Sequence, residues 1–405
     1  MIRGLVAAVC AEVLFSGCSD ARSTAADAKI AAPPAPEIVF QNAEKFAPTS
    51  GYLKAQGAVR MTADTAALNR AIGSRQAFVL ALPTGKLRIE PKPQAATATS
   101  FFATVKDPEG REVGEARFLS GDRLRASIFM RGKVRRIEGD GLGNYTVTES
   151  DSSRFPDEAP SNRRPGALDD PSPIGALDEA TPEISLLLLY EQGVIDKLGA
   201  NNIADFVKEM QQELDWTYAS GANPVPVKGK IVASAKYTGA TSANSSVALQ
   251  RLISNGDAKT ARDTEKADLV ALIATKLDNA CGEGSFYNQG SAADAFSVID
   301  LACARENHSL SHEVGHNLGA DHARGDDKNQ DPKACNYGFK APAIKRRTVM
   351  AYKCKGTEVC DRMSYLSDPD YKDTNVAMGA KCSATDAASN IETVRAKAPK
   401  VAGYR

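Results

Sequence analysis

Residues 311–322 read Ser-His-Glu-Val-Gly-His-Asn-Leu-Gly-Ala-Asp-His, and all four histidines of the chain fall between His308 and His322. On a helix, His312 and His316 are one turn apart and project from the same face. Two imidazoles at that spacing can share one zinc ion. Leu310, Val314 and Leu318 lie on another face, which can pack into a core and hold the helix in place. Gly319 can take a positive φ and end the helix, so the chain can turn back and deliver His322 as a third ligand. Three protein ligands leave a fourth position for water, the catalytic rather than the structural arrangement. Glu313 stands beside both histidines and can reach that water without being a ligand. Zinc lowers the water's pKa to about 7, and Glu313 can take its proton as it attacks a carbonyl. His308, four residues before His312, is expected to be an ordinary polar residue near the helix start.

The rest of the chain is organised around that segment. Its 405 residues exceed one average domain, and 42 % are hydrophobic, enough for an ordinary core. Lysine plus arginine and aspartate plus glutamate balance at 50 each, which gives no argument for nucleic acid or an anionic membrane as a partner. Residues 1–18 read as an export signal: Arg3, a short apolar stretch from Gly4 to Phe15, then Leu14-Phe15-Ser16-Gly17-Cys18. That run resembles a lipoprotein box, with Cys18 as the lipidated residue and Phe15 and Glu12 as departures from it. The expected location is outside the cytoplasm, anchored in a bacterial envelope or secreted.

Residues 19–38 are alanine- and proline-rich and read as a linker. Residues 39–155 read as β-rich, with strand-like runs at Phe78–Leu82, Ser100–Val105, Arg125–Phe129, Lys133–Ile137 and Tyr145–Thr148. Residues 156–175, full of proline, arginine and aspartate, read as a second linker. From 176 to 405 the pattern changes. Ile184–Tyr190 and Asp268–Ala274 are continuous apolar runs, as expected of strands buried on both faces. Helical periodicity at 201–218 and 245–253 alternates with these runs and with a strand at 230–237. That alternation predicts an α/β domain with a twisted, mostly parallel sheet.

The run His-Glu-x-x-His-x-x-Gly-x-x-His, followed by Met350 in Thr348-Val349-Met350-Ala351-Tyr352, resembles the metzincin metallopeptidases. Further stretches resemble the reprolysin-like branch, in particular bacterial peptidyl-Asp metalloendopeptidases. These are His316-Asn317-Leu318-Gly319, Arg347 to Tyr352, Tyr365-Leu366-Ser367-Asp368-Pro369, Asn390 to Arg405, and Cys303-Ala304. Reprolysins usually carry aspartate directly after the third histidine; here that place is Ala323, with Asp321 on the other side.

The resemblance implies one catalytic zinc ion on His312, His316 and His322, and Met350 as an apolar floor beneath it. It further implies an active-site helix under the sheet, a small irregular C-terminal subdomain, and a β-rich propeptide domain ahead of the catalytic one. Tyr352 would bind the metal or the developing oxyanion, and Gly282-Glu283-Gly284 would be an edge strand that pairs with substrate. Six cysteines allow 15 connectivities. The pairs expected are Cys281 with Cys303, tying the edge strand to the active-site helix, Cys335 with Cys382, and Cys354 with Cys360 just after Met350.

The activity implied is zinc-dependent hydrolysis of peptide bonds in proteins by a chain made as a zymogen. Two other readings are a surface-anchored binding lipoprotein on the same fold, which predicts a damaged ligand set, and a zinc hydrolase of a non-peptide amide. Between Cys18 and Cys281 there is no cysteine to hold the zymogen latent. Asp157 or Glu158 is the expected substitute, as a carboxylate on the metal. Nothing in the sequence specifies a structural calcium site or an oligomeric state.

Overall fold

The computed structural model describes residues 35–46, 55–92, 100–119, 123–161, 181–220, 225, 227–287, 291–328, 330–356 and 359–405. The export signal with its lipoprotein box and Cys18 lies outside the described residues, as does 162–175 of the second linker.

The first part is a single large sheet. Its strands are Glu37–Val39 (β1), Gln41–Phe46 (β2), Ala55–Thr62 (β3), Phe78–Leu82 (β4), Gly85–Pro91 (β5), Ser100–Lys106 (β6), Glu112–Leu119 (β7), Arg125–Met130 (β8), Lys133–Gly139 (β9) and Asn144–Asp151 (β10). They lie in the order β1-β4-β5-β6-β7-β8-β9-β10-β3-β2. β4 shows the reason: Phe78, Leu80 and Leu82 are buried and the residues between them are half-buried, the period of two that seats one face on a core. Helix α1 (Thr65–Ser74) is capped by Asp64, whose carboxylate accepts from the Ala67 amide. It buries Leu68, Ala71 and Ile72 with Phe78, Phe101 and Phe118 of the sheet. Strand β1 begins at Glu37, so the first linker ends slightly earlier than its composition suggested.

The second part is the expected α/β layer arrangement. Strands Glu183–Tyr190 (β11), Lys228–Lys236 (β12), Leu269–Ala274 (β13), Gly282–Gly284 (β14) and Phe296–Asp300 (β15) form a sheet of order β12-β11-β13-β15-β14. The first four are parallel, and β14 is antiparallel on the edge. All six residues of β13 are buried because both faces of the sheet are covered. On one face lie α2 (Gln192–Leu198), through Val194, and α3 (Ile203–Leu214), through Phe206, Met210 and Leu214. On the other lie α4 (Ser245–Ser254), through Ala248, Leu249 and Leu252, and α5 (Gly256–Thr264), through Ala258.

Asp300 caps the short helix α6 (Leu301–Glu306), and α7 (Ser309–Asn317) follows directly, beneath the sheet. Leu310, Val314 and Leu318 enter the same core as α3, as their spacing required. Below α7 the chain is irregular. Its described residues include the short strands Lys340–Ala341 (β16), Arg346–Arg347 (β17), Asp361–Arg362 (β18), Asp368–Asp373 (β19) and Val376–Met378 (β20), a 3-10 turn at Pro342–Ile344, and the closing helix α8 (Asn390–Val401). Three disulfides tie this half together, Cys281–Cys303, Cys335–Cys382 and Cys354–Cys360, the three pairs expected.

The two parts keep separate main cores but are closely joined. Trp216, fully buried in the turn after α3, packs among Phe102, Phe129 and Val134 of the large sheet. Around it lie ion pairs that water does not reach: Arg117 to Glu213 at 2.7 Å, and Arg136 to Glu209 at 3.1 Å. Both carboxylates come from α3 and both guanidiniums from the large sheet.

Candidate metal centre and cleft

Helix α7 and the loop that follows it bring three ring nitrogens to one point. The Nε2 atoms of His312, His316 and His322 lie 3.0–3.1 Å from one another. Their Nδ1 atoms are all committed elsewhere. His312 Nδ1 meets the Val349 carbonyl at 2.9 Å, His316 Nδ1 the Ala320 carbonyl at 2.9 Å, and His322 Nδ1 the Asp327 carboxylate at 2.7 Å. Carbonyl and carboxylate oxygens only accept, so each Nδ1 carries the proton and each Nε2 presents a lone pair. Burial pushes His312 well below the ordinary imidazole range and His316 down to about 3, so these rings stay neutral. Three buried lone pairs aimed at each other repel unless a cation sits among them. Bonds of about 2.0–2.1 Å from a tetrahedral ion place such nitrogens at close to this spacing. The donor set therefore fits zinc.

The loop that returns His322 turns as the glycine requires: Gly319 has φ +86°. Asp327 is a supporting residue that sequence reasoning missed. The only signal for it was the acidic pair Asp326-Asp327 shortly after the third histidine. Asp326 accepts from the Tyr352 amide at 2.9 Å, so the pair braces both His322 and the segment after Met350. Asp321 takes no such role; its carboxylate accepts from the His322 amide at 2.9 Å.

Met350 is fully buried directly under the helix. A Cβ at Gly315 would fall 2.5 Å from the Met350 sulfur, so the glycine between the two histidines makes room for the floor. The Tyr352 ring lies 4.1 Å from that of His322, and its hydroxyl has no hydrogen-bond partner among the described residues. Burial, and then the nearby Asp327 carboxylate, hold its phenol above its ordinary pKa.

Glu313 is fully buried and lies against the edge strand. A Cβ at Gly282 would stand 2.5 Å from its Oε1, and one at Gly284 2.9 Å from its Oε2. Burial first, then the negative charges of Glu158 and Glu283, push its carboxyl well above the usual range. Glu283 itself points away from the helix: it accepts from Ser245 Oγ at 2.6 Å and Ser246 Oγ at 2.7 Å, at the N-terminus of α4. Of the expected edge strand, the two glycines touch the centre, and Glu283 fastens the strand from behind.

Three expectations are corrected. His308 is not an ordinary polar residue at the helix start. It is 1 % exposed, in the left-handed region with φ +53°, its ring tilted against that of Phe129 at 4.3 Å, and it stays apart from the other three histidines. Docking of the large sheet over the start of α7 buries it.

Residues 156–161 do not behave as a loose linker. Phe155 is buried against the Cys281–Cys303 disulfide. The Cys281 amide then donates to the Asp157 carbonyl at 3.1 Å, and the Ala159 amide to the Gly282 carbonyl at 2.9 Å. The Ser161 amide reaches Asp327 at 3.3 Å. The strap thus runs along the edge strand towards His322. Neither of its carboxylates joins the three histidines. Asp157 accepts from the Lys353 amide at 3.1 Å. Glu158 is paired with Arg362 and accepts from Ser309 Oγ at 2.8 Å. Both Glu158 oxygens face Arg362, and neither carboxylate takes the place expected of it as a metal ligand.

Comparison with known proteins agrees with this geometry. Residues 180–367 match the model of a reprolysin family described as Metallo-peptidase family M12. The chain is 26 % identical over 271 residues to a peptidyl-Asp metalloendopeptidase of Xanthomonas campestris pv. campestris, covering 64 % of this chain and 63 % of the relative. It thus spans less than two thirds of that relative's length. A chain from a solved structure titled "Structure of a chaperone-substrate complex" superposes with a TM-score of 0.40 at 16 % identity, over 74 % of this chain and 45 % of the other. That superposition is too loose to bear on fold or function.

Proposed function

We propose that the protein is an exported zinc endopeptidase that hydrolyses peptide bonds and is made as a zymogen, a reading supported by the match of residues 180–367 to a reprolysin family model. The observation that carries this reading is the set of three buried Nε2 lone pairs meeting at one point, with Glu313 beside them.

His312, His316 and His322 would hold the ion. When bound, it supplies an acidified water and a polarised carbonyl. Glu313 is the general base: its raised affinity for a proton suits it to take one from that water and return it to the leaving amine. Tyr352, with a free hydroxyl at the His322 side, donates to the carbonyl oxygen as negative charge builds there. The β14 edge pairs with the substrate main chain, so recognition needs few side chains.

The strap at 155–161 lies on that same edge, which supports a zymogen whose N-terminal part blocks the cleft. Three disulfides support an oxidising compartment, and export through the N-terminal signal and Cys18 belongs to this reading. The Xanthomonas relative is named for peptidyl-Asp bonds, and we extend an acidic preference to this chain.

The test is mass spectrometry of fragments from a denatured protein mixture incubated with the zinc-loaded chain after limited proteolysis has removed the strap, with and without chelator. Chelator-sensitive internal cleavage is the expected outcome. Absence of any new peptide ends from chain shown to hold one zinc would reject the reading.

A further inference from the structure

The Glu158 side chain enters a pocket between the start of α7 and the segment after Met350. There it meets Ser309 Oγ at 2.8 Å and the Arg362 guanidinium, which also donates to the Asn307 carbonyl at 3.0 Å. Glu158 and Arg362 are 4 % and 5 % exposed. A second guanidinium, Arg347, is buried nearby, and its pKa falls to about 9 through burial and the proximity of Arg362. Two cations therefore share this wall of the cleft, and Glu158 supplies the paired negative charge.

The main chain on both sides of Glu158 is hydrogen-bonded to the edge at Cys281 and Gly282. The strap thus places one acidic side chain in one pocket while its backbone pairs with an edge strand, as a bound peptide does. If the strap departs, Arg362 loses the carboxylate that it holds through both terminal nitrogens, and the place that Glu158 filled opens to another anion.

We propose that Arg362, with Ser309, is a carboxylate-receiving subsite of the peptide cleft. Glu158 fills it in the uncleaved chain, and an acidic side chain of the substrate fills it once the strap has left. The subsite rests on the peptidase reading above. It adds the residue that selects the acidic side chain and explains how the strap is held without touching the metal. Arg362 is then a specificity residue and Glu158 a substrate mimic on the same chain.

The experiment uses the zinc-loaded full chain, as purified and after limited proteolysis, on paired peptides that differ only by Asp against Asn or Glu against Gln. In the proteolysed parent, kcat/KM should favour the acidic member roughly 10- to 100-fold, the usual worth of a hydrogen bond to a charged group. Arg362→Gln should bring the ratio near one while the amide peptide is still cut, and Arg362→Lys should restore part of it. Retention of the parent ratio in Arg362→Gln overturns the proposal. Because Arg362 is buried, Glu158→Gln is the second variant, isosteric and outside the pocket wall. The unprocessed Glu158→Gln chain should cleave the acidic peptide at least roughly tenfold faster than the unprocessed parent, for loss of the same charged bond. An unchanged rate overturns the claim that Glu158 occupies the subsite. If the zinc-loaded, proteolysed parent cuts no peptide of either kind, the peptidase reading itself fails, which a lost Asp/Asn ratio with cleavage intact does not imply.

Discussion

Glu313 and the histidines it adjoins are both fully buried, yet they should fail differently when removed. Glu313→Ala leaves the three Nε2 donors in place, so zinc by elemental analysis should stay near one equivalent. Cleavage of a casein-like substrate should fall by about 10²–10⁴, the usual contribution of a positioned acid–base group. His316→Ala should lose most of the metal with the activity; a metal-free Glu313→Ala protein would make the glutamate a ligand or a structural support. Asp327 works through His322: its carboxylate fixes the ring and its tautomer from 2.7 Å. Asp327→Ala should weaken zinc binding roughly 10- to 100-fold in chelator competition with the fold intact, as removal of such outer partners does. Zinc affinity equal to the parent's would show that His322 needs no such support.

Among elements, β14 is the shortest strand of its sheet and the one nearest the proposed chemistry. Its glycines are required by contact rather than by a turn, since neither has a positive φ. Gly282→Ala would set a methyl 2.5 Å from Glu313 Oε1, so carboxylate or strand must move. The expected result is full zinc occupancy with kcat reduced by roughly tenfold or more, because misplacement of a reacting group by about 1 Å costs up to about a hundredfold. An unchanged kcat would mean that the edge can yield without disturbing the base. Helix α7 shows the same economy of space, with Gly315 admitting Met350 and Gly319 turning the chain towards His322.

At the scale of the whole molecule, the large sheet is fastened to the α/β part by buried charge. Arg117 is 2 % exposed and holds Glu213; Arg117→Ala leaves that carboxylate buried without its partner. Breaking such a pair costs about 3–5 kcal/mol, so the urea midpoint should drop markedly. An undiminished midpoint would mean that the pair contributes little. Glu115, also on β7, accepts from the Ser364 amide at 3.0 Å across the junction, and burial raises its pKa to about 7. A carboxyl raised in the folded chain favours folding fully below its unfolded value near 4.5, and that contribution is lost as pH climbs through about 7. This one group should make the chain less stable at pH 8 than at pH 5 by up to about 3 kcal/mol. Glu115→Gln should flatten that part of the difference in urea titrations; an equal fall in parent and variant would place the dependence elsewhere.

The helix that carries the His312–His316 pair, the glycine that ends it and the parallel strands were legible because each is a local pattern. Ligand spacing, a positive-φ position and unbroken apolar runs such as Leu186–Leu189 are properties of neighbouring residues. The role of β7 was not legible, since Glu115 and Arg117 look like solvent-facing residues until a second layer covers them. The same holds for His308, read as polar and found beneath Phe129, and for 156–161, whose proline and charge suggest a free linker. Asp327 and Arg362 escaped for a related reason. Their partners His322 and Glu158 are chosen by distance in space: Glu158 and Arg362 stand 204 residues apart in the chain. Local spacing determined which atoms can hold a metal, whereas tertiary packing decided which charges lose their water and must find a partner, and that choice laid the strap along the edge strand.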